Sequence, residues 1–292
     1  MLATLRKSHG KGARIRPRAR ATIRLLKQLP RKTIAPFRRN PIHLFKDFKP
    51  KIVVRVETEN FILKTAETLY EIRQVLKLRH DIFLTELQGK VHHTNLDFDE
   101  LDQICDHLII IDKKTFNVVG TYRLISSLYS DKFYSEGEFY IDEFLNQPGV
   151  KLELGRACIH KDFRTGSTIS LLWKGIVEYI KKTDAKYLFG CASVQTVDPF
   201  IAGTILEYLQ RENLSSGEYS VKPTEYYQIP LPRPEITSSV DELIPALVHS
   251  YVKAGAKFYG VPAYDRDFNC FDFFMILKIE EMSKLFKRRF GL

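Results

Sequence analysis

The sequence lacks several features that would identify common classes of protein. It has no run of about 18 apolar residues, the length that a membrane-spanning helix needs. Its first 30 residues have no continuous apolar segment, so we expect no secretory signal, although their Arg-rich, acid-poor character leaves organelle import open. Four cysteines in 292 residues are too few for a disulfide framework and indicate a reducing compartment. No internal repeat is present, and the composition is that of a globular protein.

Acidic residues are nearly absent from residues 1–51, which we call the basic arm. The arm holds 16 Lys and Arg residues and a single acid, Asp47. Its net charge is therefore +15, whereas residues 52–292 carry −5, and together they give the formal +10 of the chain. The charge gives little reason to interpret the remainder of the chain as a nucleic-acid binder.

Part of the basic arm has the pattern of an amphipathic helix. Residues 18–29 place Arg20, Arg24 and Lys27 on one helical face and apolar side chains on the other. Such a helix can lie on an anionic bilayer, where each basic residue adds roughly 1 kcal/mol. A disordered basic tail, favoured after residue 30 by several prolines, and a nucleic-acid-binding segment remain the alternatives.

The hydrophobic pattern of residues 52–283 predicts one α+β domain of mixed α/β character. Residues 284–292 form a second, smaller basic cluster, which we predict to be a C-terminal tail. The main predicted elements are helices at 66–87, 167–183, 199–212 and 241–254, a hairpin of strands at 107–112 and 118–126, and strands at 151–160, 187–193, 257–259 and 271–279.

An acidic loop follows the first long helix and contains Asp97, Asp99 and Asp102. Carboxylates at this density can receive a cationic amine. The loop lacks the Gly and Glu that a calcium-binding loop needs at its sixth and twelfth positions, so we do not expect that ion. A solvated loop without a ligand is the alternative.

Glu153 and Arg156 lie within an otherwise apolar strand. Burial of such a pair is costly unless the charges are paired or used. Positions three apart face opposite sides of a regular strand, so we predict a β-bulge at Gly155 that turns both side chains toward one face. A purely structural Arg–Glu pair is the alternative.

A further candidate lies at the junction of a strand and a helix, where Arg164, Gly166 and Ser167 occur. Backbone N–H groups at a helix start can bind a phosphate, although an ordinary helix cap explains the same residues. Metal sites are not predicted, because the Cys-x-His pairs at 105–107 and 158–160 do not have a common zinc spacing.

Taken together, the motifs resemble those of bacterial ornithine-lipid N-acyltransferases, a hemolysin-like family within the GNAT superfamily. The resemblance covers roughly residues 60–280 and excludes the basic arm. The motifs that carry it, in chain order, are Arg79-x-x-x-Phe83-x-x-Glu86, Asp97-x-Asp99-x-x-Asp102-x-x-Cys105-Asp106-His107, Val119-Gly-Thr-Tyr-Arg123-Leu, Phe133-Tyr-Ser-Glu136-x-Glu138-Phe, Glu153-Leu-Gly-Arg156-Ala-Cys-Ile-His160, Leu172-Trp-Lys-Gly-Ile176, Phe189-Gly-Cys-Ala-Ser193 and Gly260-x-Pro-Ala-x-Asp265-x-Asp267-Phe.

The resemblance implies a GNAT-like acyltransferase fold: a single domain with a splayed, mostly antiparallel sheet flanked by helices. It implies transfer of a fatty acyl group, often 3-hydroxylated, from acyl carrier protein to the α-amine of ornithine. The product would be a lyso-ornithine lipid, which a second acyltransferase O-acylates. The implied donor group is the acyl-phosphopantetheine of the carrier, with no tightly bound cofactor and no metal.

The resemblance also suggests roles for particular residues. Glu153 is the candidate base, acting directly or through water, with Arg156 as its catalytic partner. Arg123 or Arg156 could bind the substrate carboxylate, and Arg79 belongs to the same substrate site. The remaining candidates are Asp97, Asp99 and Asp102 for the cationic amines of the substrate, and Arg164, Gly166 and Ser167 for the donor.

The chain departs from GNAT enzymes at their usual pyrophosphate loop, because Arg164-Thr-Gly-Ser-Thr-Ile does not match it. This departure favours an acyl carrier protein over coenzyme A. We expect the partners to be this acidic carrier, an amino acid and an anionic membrane surface, with no nucleic acid. The expected location is the inner face of the bacterial cytoplasmic membrane, with the enzyme bound peripherally.

Three other functions remain as alternatives. A subset of the motifs also resembles acyl-homoserine-lactone synthases, which would make a lactone from S-adenosylmethionine. Glycine or another amino acid could replace ornithine as the acceptor. A non-enzymatic hemolysin-like protein of the membrane surface is the third, although no spanning segment or barrel pattern supports a pore.

Deleting residues 1–50 tests the proposed role of the basic arm. We expect weaker binding to vesicles that contain anionic lipid, because the arm carries most of the positive charge, and we expect added salt to reduce the difference. Vesicle co-sedimentation at two salt concentrations measures this. Equal binding of the full and shortened chains would exclude a membrane role for the arm.

Overall fold

The computed structural model describes residues 41–91, 93–232 and 240–292. The predicted amphipathic helix at 18–29 lies outside the described residues, as does most of the basic arm. The prediction that the arm binds membranes therefore stays a prediction.

The described residues form strands and helices close to the predicted positions. The strands are β1 (Arg55–Glu57), β2 (Phe61–Thr65), β3 (Asp106–Asp112), β4 (Val118–Ser126), β5 (Phe139–Tyr140), β6 (Val150–Ile159), β7 (Ala185–Val194), β8 (Ser215–Ser216), β9 (Lys222–Pro223), β10 (Lys257–Tyr259), β11 (Ala263–Asp265) and β12 (Cys270–Lys278). The α-helices are α1 (Leu69–Arg79), α2 (Asp142–Leu145), α3 (Gly166–Thr183), α4 (Pro199–Arg211), α5 (Ala246–Ala254) and α6 (Lys284–Phe290). The short 3₁₀ segments are Pro41–Phe45, Glu100–Gln103, Ser135–Gly137, Lys161–Phe163 and Val240–Leu243.

Two helices begin or end differently from the prediction. Helix α1 starts after Thr68, whose side chain forms a capping box with Glu71, and it continues into a π-helical segment at His80–Glu86. Helix α5 begins at Ala246 with Pro245 before it, several residues later than predicted.

One ten-stranded sheet forms the body of the domain. Its order is β1-β2-β3-β4-β6-β7-β12-β10-β8, with β11 paired to β12, while β5 and β9 form a separate pair. Neighbouring strands are antiparallel except for β6 with β7 and β10 with β8. The mostly antiparallel sheet predicted from the family resemblance is thus confirmed.

Helices cover both faces of this sheet. Ile109 of β3 packs in one apolar cluster with Ile72 and Val75 of α1. The adjacent Leu108 points to the opposite face, as alternation along a strand requires. There Leu108 meets Gly175 of α3, where a Cβ would come within 2.8 Å of it. Gly175 therefore allows α3 to lie close against the sheet.

The parallel strands β6 and β7 separate part-way along their length. Their paired residues end at Glu153 and Phe189, although both strands continue for several residues. At this point Gly190 has a φ of 155°, and a Cβ on it would overlap the carbonyl oxygen of Leu154. Beyond this backbone contact the two strands diverge, which confirms the splay expected in the strand that carries Glu153.

The predicted bulge is present in β6, one residue beyond Gly155. Where β6 pairs with β4, the two residues Arg156 and Ala157 of β6 lie opposite the single residue Tyr122 of β4. Arg156 has a φ of 48°, in the left-handed region, which is uncommon for a residue with a side chain. The bulge interrupts the alternation of β6, so the side chains of Glu153 and Arg156 both reach one cavity.

The domain begins earlier than the predicted boundary at residue 52. Phe45, in the 3₁₀ segment Pro41–Phe45, is buried in the apolar cluster beside α1. The backbone N–H groups of Lys51 and Ile52 donate to the carboxylate of Asp106 at 2.8 and 2.9 Å. A deletion that tests the basic arm should therefore stop before residue 41, because a longer one also removes part of the core.

The C-terminal residues are not a separate tail. Helix α6 places Phe286 and Phe290 against Trp173 of α3, with ring centroids 4.6 and 6.4 Å apart. The tail prediction is wrong because the two aromatic residues, one turn apart, give the basic segment an apolar face to bury. No helix among the described residues has both the length and the apolar character needed to cross a bilayer.

Substituting Gly190 with alanine should destabilise the domain. The new methyl group meets the Leu154 carbonyl and the backbone angle is unfavourable for alanine, so we expect the free energy of unfolding to fall by about 1–3 kcal/mol. Urea unfolding measures this change. Gly137→Ala is the control, because no neighbouring atom of the described residues lies within 4 Å of the position that a Cβ would take there. Equal stability of the two variants would contradict the close backbone contact.

Candidate active site

A cavity of about 450 Å³ opens where β6 and β7 diverge. Its walls are mostly apolar and come from the π-helical segment after α1, from β6 and β7, and from α3 and α5. The polar residues that line it are Tyr122, Tyr134, Glu153, Arg156, Cys158, Arg164, Cys191, Ser193, Gln195, Tyr251, Asp265, Cys270 and Asp272. An apolar cavity with a few convergent polar groups is the usual form of a small-molecule site.

Glu153 lies at the point where the strands separate. Its carboxylate accepts hydrogen bonds from the backbone N–H groups of Tyr134 and Ser135, both at 2.8 Å, and from the Ser135 hydroxyl at 2.7 Å. Burial raises the pKa of Glu153, although these hydrogen bonds act in the opposite direction. The result is an oriented carboxylate of raised basicity at the wall of the cavity, which is the arrangement that a general base needs.

Three arginines and three aspartates form a buried network beside the cavity. Arg79, at the end of α1, donates to Asp97 at 2.7 Å and binds both oxygens of Asp102 at 2.5 and 3.1 Å. The side chains of Arg79 and Asp102 have no exposed surface. These two residues therefore support the site and do not contact a substrate.

Arg123 of β4 holds the next aspartate of the network. Its Nη1 donates to both oxygens of Asp99 at 2.6 Å and lies 3.4 Å from Asp102. Burial alone would raise the pKa of Asp99, but the charges of Arg123, Arg156 and Arg79 hold it well below its usual range. Asp99 also caps the 3₁₀ segment that follows it.

Arg156 is the member of the network that faces the cavity. Its Nη2 donates to Asp99 at 3.2 Å, and its Nε lies 3.7 Å from Asp97. The guanidinium also stacks between the rings of Tyr134 and Phe268, each with its centroid 4.6 Å away. No hydrogen bond from Nε is present among the described residues, and this buried nitrogen faces Asp97. Arg156 is nevertheless one of the residues that line the cavity.

The network changes the expectation for the acidic loop. Asp97, Asp99 and Asp102 were expected to receive the cationic amines of a substrate, but arginines already occupy them. The expectation that Arg79 and Arg123 bind substrate is revised for the same reason. The sequence could not reveal this, because a carboxylate that awaits a ligand and one that neutralises a distant arginine are the same residue type.

Of the predicted donor residues, Arg164 lies at the cavity. Arg164 lines it, donates through Nε to the carbonyl of Ile159 at 2.9 Å and pairs with both oxygens of Glu86 at 2.6 and 2.8 Å. Gly166 and Ser167 are exposed in the first turn of α3. Arg164 is among the residues that line the cavity, whereas Gly166 and Ser167 are not, so the donor site stays a prediction.

Asp102, Cys105 and His107 have ligand atoms within 4.8 Å of one another. They are poorly suited to a metal, because Arg79 already binds both oxygens of Asp102. Burial raises the pKa of the Cys105 thiol well above its usual range and lowers the pKa of His107 to about 4. The cluster is best described as part of the buried support of the site.

Sequence reasoning missed a second group of acids at the cavity. Glu138, Asp265 and Asp272 are all buried, and the last two line the cavity. Glu138 and Asp265 occur within the motifs of the family resemblance but received no role. Asp272 gave a signal of its own, since it interrupts the apolar run of β12.

A protein-family model agrees with this architecture. Residues 78–174 match the family model described as an acetyltransferase (GNAT) domain. Among solved structures, a CoA-dependent acyl-homoserine lactone synthase has a similar chain, with a TM-score of 0.44, 16% identity and coverage of 76% of this chain and 83% of the other.

Curated relatives give the more specific similarity. The chain is 30% identical to an L-ornithine N(alpha)-acyltransferase of Agrobacterium fabrum over 239 residues, which cover 76% of this chain and 82% of that protein. It is also 30% identical to a protein of the same name from Rhizobium meliloti over 250 residues, with coverage of 80% and 84%.

The arginine–aspartate network predicts a large effect for Asp102→Asn. Removing one negative charge leaves Arg79 and Arg123 only partly neutralised in the interior, which costs about 3–5 kcal/mol of folding free energy. Urea unfolding tests this, with Asp81→Asn as the control. Asp81 pairs with Lys77 at the surface, and its loss should cost less than about 1 kcal/mol. A small effect at Asp102 would show that the network does not support the fold.

Proposed function

The chain belongs to the family of L-ornithine N(alpha)-acyltransferases, and from this premise we propose that it transfers a fatty acyl group to the α-amine of ornithine. The product would be a lyso-ornithine lipid. The observation that best supports this proposal is the position of Glu153, a buried and oriented carboxylate at the wall of an apolar cavity. An acyl chain requires such apolar walls, and an amine nucleophile requires a base.

The proposed reaction is direct acyl transfer without a covalent enzyme intermediate. An amine attacks a thioester only in its neutral form, so Glu153 takes a proton from the ammonium, directly or through water. The nitrogen then bonds to the thioester carbon, and the carbon–sulfur bond breaks as the carbonyl re-forms. The thiol of the donor leaves with a proton, and the amide product remains.

Two further groups have places in this mechanism. The Arg156 guanidinium, which lines the cavity, is suited to the α-carboxylate of the amino acid. The oxyanion of the tetrahedral intermediate can be bound by backbone N–H groups of β6, because the segment beyond Glu153 has lost its pairing with β7.

We propose acyl carrier protein as the donor. Its phosphopantetheine arm carries one phosphate, which the first turn of α3 at Gly166 and Ser167 can bind beside Arg164. Arg164 is already paired with Glu86, so it contributes charge near the phosphate and does not serve as a free ligand.

We also propose that the enzyme works at the inner face of the bacterial cytoplasmic membrane. The support is the charge of the basic arm, +15 over residues 1–51, which favours an anionic surface. A lipid product also has to reach a bilayer after it is made.

Lipid analysis after expression in a bacterium that lacks aminolipids tests the proposed reaction. Mass spectrometry should detect a new lyso-ornithine lipid, and co-expression of a partner O-acyltransferase should convert it to the diacyl form. An acyl-homoserine lactone would instead support the synthase alternative. A different N-acyl amino acid would show that the acceptor is not ornithine. The absence of any acylated product would contradict the assignment as an acyltransferase.

Glu153→Gln tests the mechanism separately. The amide keeps the shape of the side chain but cannot accept the proton, so we expect turnover to fall at least about 10²-fold. Initial rates of the purified protein with acyl carrier protein and ornithine measure this. Glu178→Gln is the control, since Glu178 pairs with Lys181 at the surface of α3. Near-normal turnover in Glu153→Gln would remove this residue from the mechanism.

A further inference from the structure

Three carboxylates meet at one end of the cavity. Glu138, Asp265 and Asp272 have 1%, 2% and 3% of their surface exposed. Asp265 ends β11 and Asp272 lies in β12, its antiparallel partner, so the two come from one hairpin. A carboxylate oxygen of each lies within 4.8 Å of the other and of the Cys270 sulfur. We call these three carboxylates the acidic end of the cavity.

Two of these carboxylates have polar partners that are all neutral. The Ser193 hydroxyl donates to Asp272. The backbone N–H groups of Asp267 and Phe268 donate to Asp265 at 2.7 and 3.1 Å. In the described part of the chain, no basic side chain forms an ion pair with either residue.

Glu138 differs from the other two carboxylates in its hydrogen bonding. Neither of its carboxylate oxygens has a hydrogen-bond partner among the described residues. Its carboxyl faces the Tyr134 hydroxyl and Asp272, both of which line the cavity. The oxygens of Glu138 therefore lie behind Tyr134 and Asp272 at the cavity wall and are shielded from solvent.

A buried group of acids without a counter-charge is unstable in its ionised form. Burial and mutual repulsion raise the pKa of Glu138 well above its usual range and that of Asp272 to about 6. The nearby aspartates of the arginine network provide a contrast, since three guanidinium groups neutralise them. At Asp272, burial and the charge of Asp265 outweigh the opposing charge of Arg156, so the acidic end retains negative charge that a further cation can balance.

The acidic end lies a short distance from the proposed base. The Ser135 hydroxyl donates to Glu153 at 2.7 Å, and the Cys191 sulfur lies 3.5 Å from the same hydroxyl. The charges of Glu138 and Asp272 also raise the pKa of the Cys191 thiol, after burial as the main cause. Cys191 is thus close to both Glu153 and the acidic end, and all of these residues except Glu138 line the same cavity.

We propose that Glu138, Asp265 and Asp272 bind the side-chain ammonium of a diamino-acid substrate, while its α-amine lies near Glu153. This inference rests on the proposed function and identifies the part of the site that recognises the second amine. An ammonium brings one positive charge and three hydrogen-bond donors, which match the acceptors left open at Glu138. A neutral amino acid would leave these buried acceptors unpaired, so the site would reject it.

Selectivity measurements test this proposal on the full-length protein with acyl carrier protein as donor. The measured quantity is the ratio of kcat/KM for ornithine to that for norvaline, which has the same carbon chain without the terminal amine. We expect Glu138→Gln and Asp272→Asn each to lower this ratio at least tenfold. Asp184→Asn is the control, because Asp184 pairs with Lys186 at the surface and should leave the ratio unchanged. An unchanged ratio in both cavity variants would overturn the proposal.

Binding measurements keep the test valid if activity is lost or absent. Ornithine should raise the melting temperature of the wild-type protein more than norvaline does, and the two cavity variants should lose this difference. If the wild type acylates no amino acid but still shows the difference, the proposed function fails while the acidic end stands. If no difference is seen in a folded wild type, the acidic end fails as an ammonium site.

A divalent cation is the other possible ligand of these groups, and its binding is an outcome of the same experiment. After treatment with a chelator, the protein is titrated with Mg²⁺, Mn²⁺ and Zn²⁺ by calorimetry. Tight binding that Asp272→Asn abolishes, together with activity that requires the metal, would overturn the ammonium assignment. Ornithine selectivity that survives chelation supports it.

Discussion

The rest of the site depends on the mutual neutralisation of three arginines and three aspartates, of which Arg79, Arg123 and Asp102 are fully buried and the others partly so. Arg79 comes from α1, Arg123 from β4 and Arg156 from the bulge of β6, and the aspartates come from one loop. Isolated charges of this kind would be strongly destabilising in the interior. Matched in number and joined by short hydrogen bonds, they tie a helix, two strands and a loop into one frame.

This frame also explains an unfavourable backbone conformation. Arg156 adopts a left-handed φ, which costs roughly 1–2 kcal/mol for a residue with a side chain. Its contacts with Asp97, Asp99 and the rings of Tyr134 and Phe268 hold it there. The bulge turns Arg156 toward the cavity. The strained backbone of Arg156 and the position of its side chain at the site therefore both result from this bulge.

The sequence predicted the larger features of the fold and only part of the site. The spacing of apolar residues located the main strands and helices. The segment Glu153-Leu-Gly-Arg156 predicted a bulge, because only a break in the strand's alternation can turn both charged side chains to the same face of the sheet. The partners of Asp97, Asp99 and Asp102 could not be predicted, since contacts such as Arg123 with Asp99 depend on how loop and strand pack. Asp272 was visible as a charge within an apolar strand, but its neighbours Glu138 and Asp265 are brought to it only by the folded chain.

The contact between Gly190 and Leu154 has a consequence for how such an enzyme can change. The position at which β6 leaves β7 is set by one backbone atom lying against another, without help from side chains. Under the proposed function, substitutions along the apolar walls would lengthen or shorten the space for an acyl chain without moving the place where the amide bond forms. Evolution could then change chain-length preference and the reaction centre independently, because residue 190 lacks a side chain.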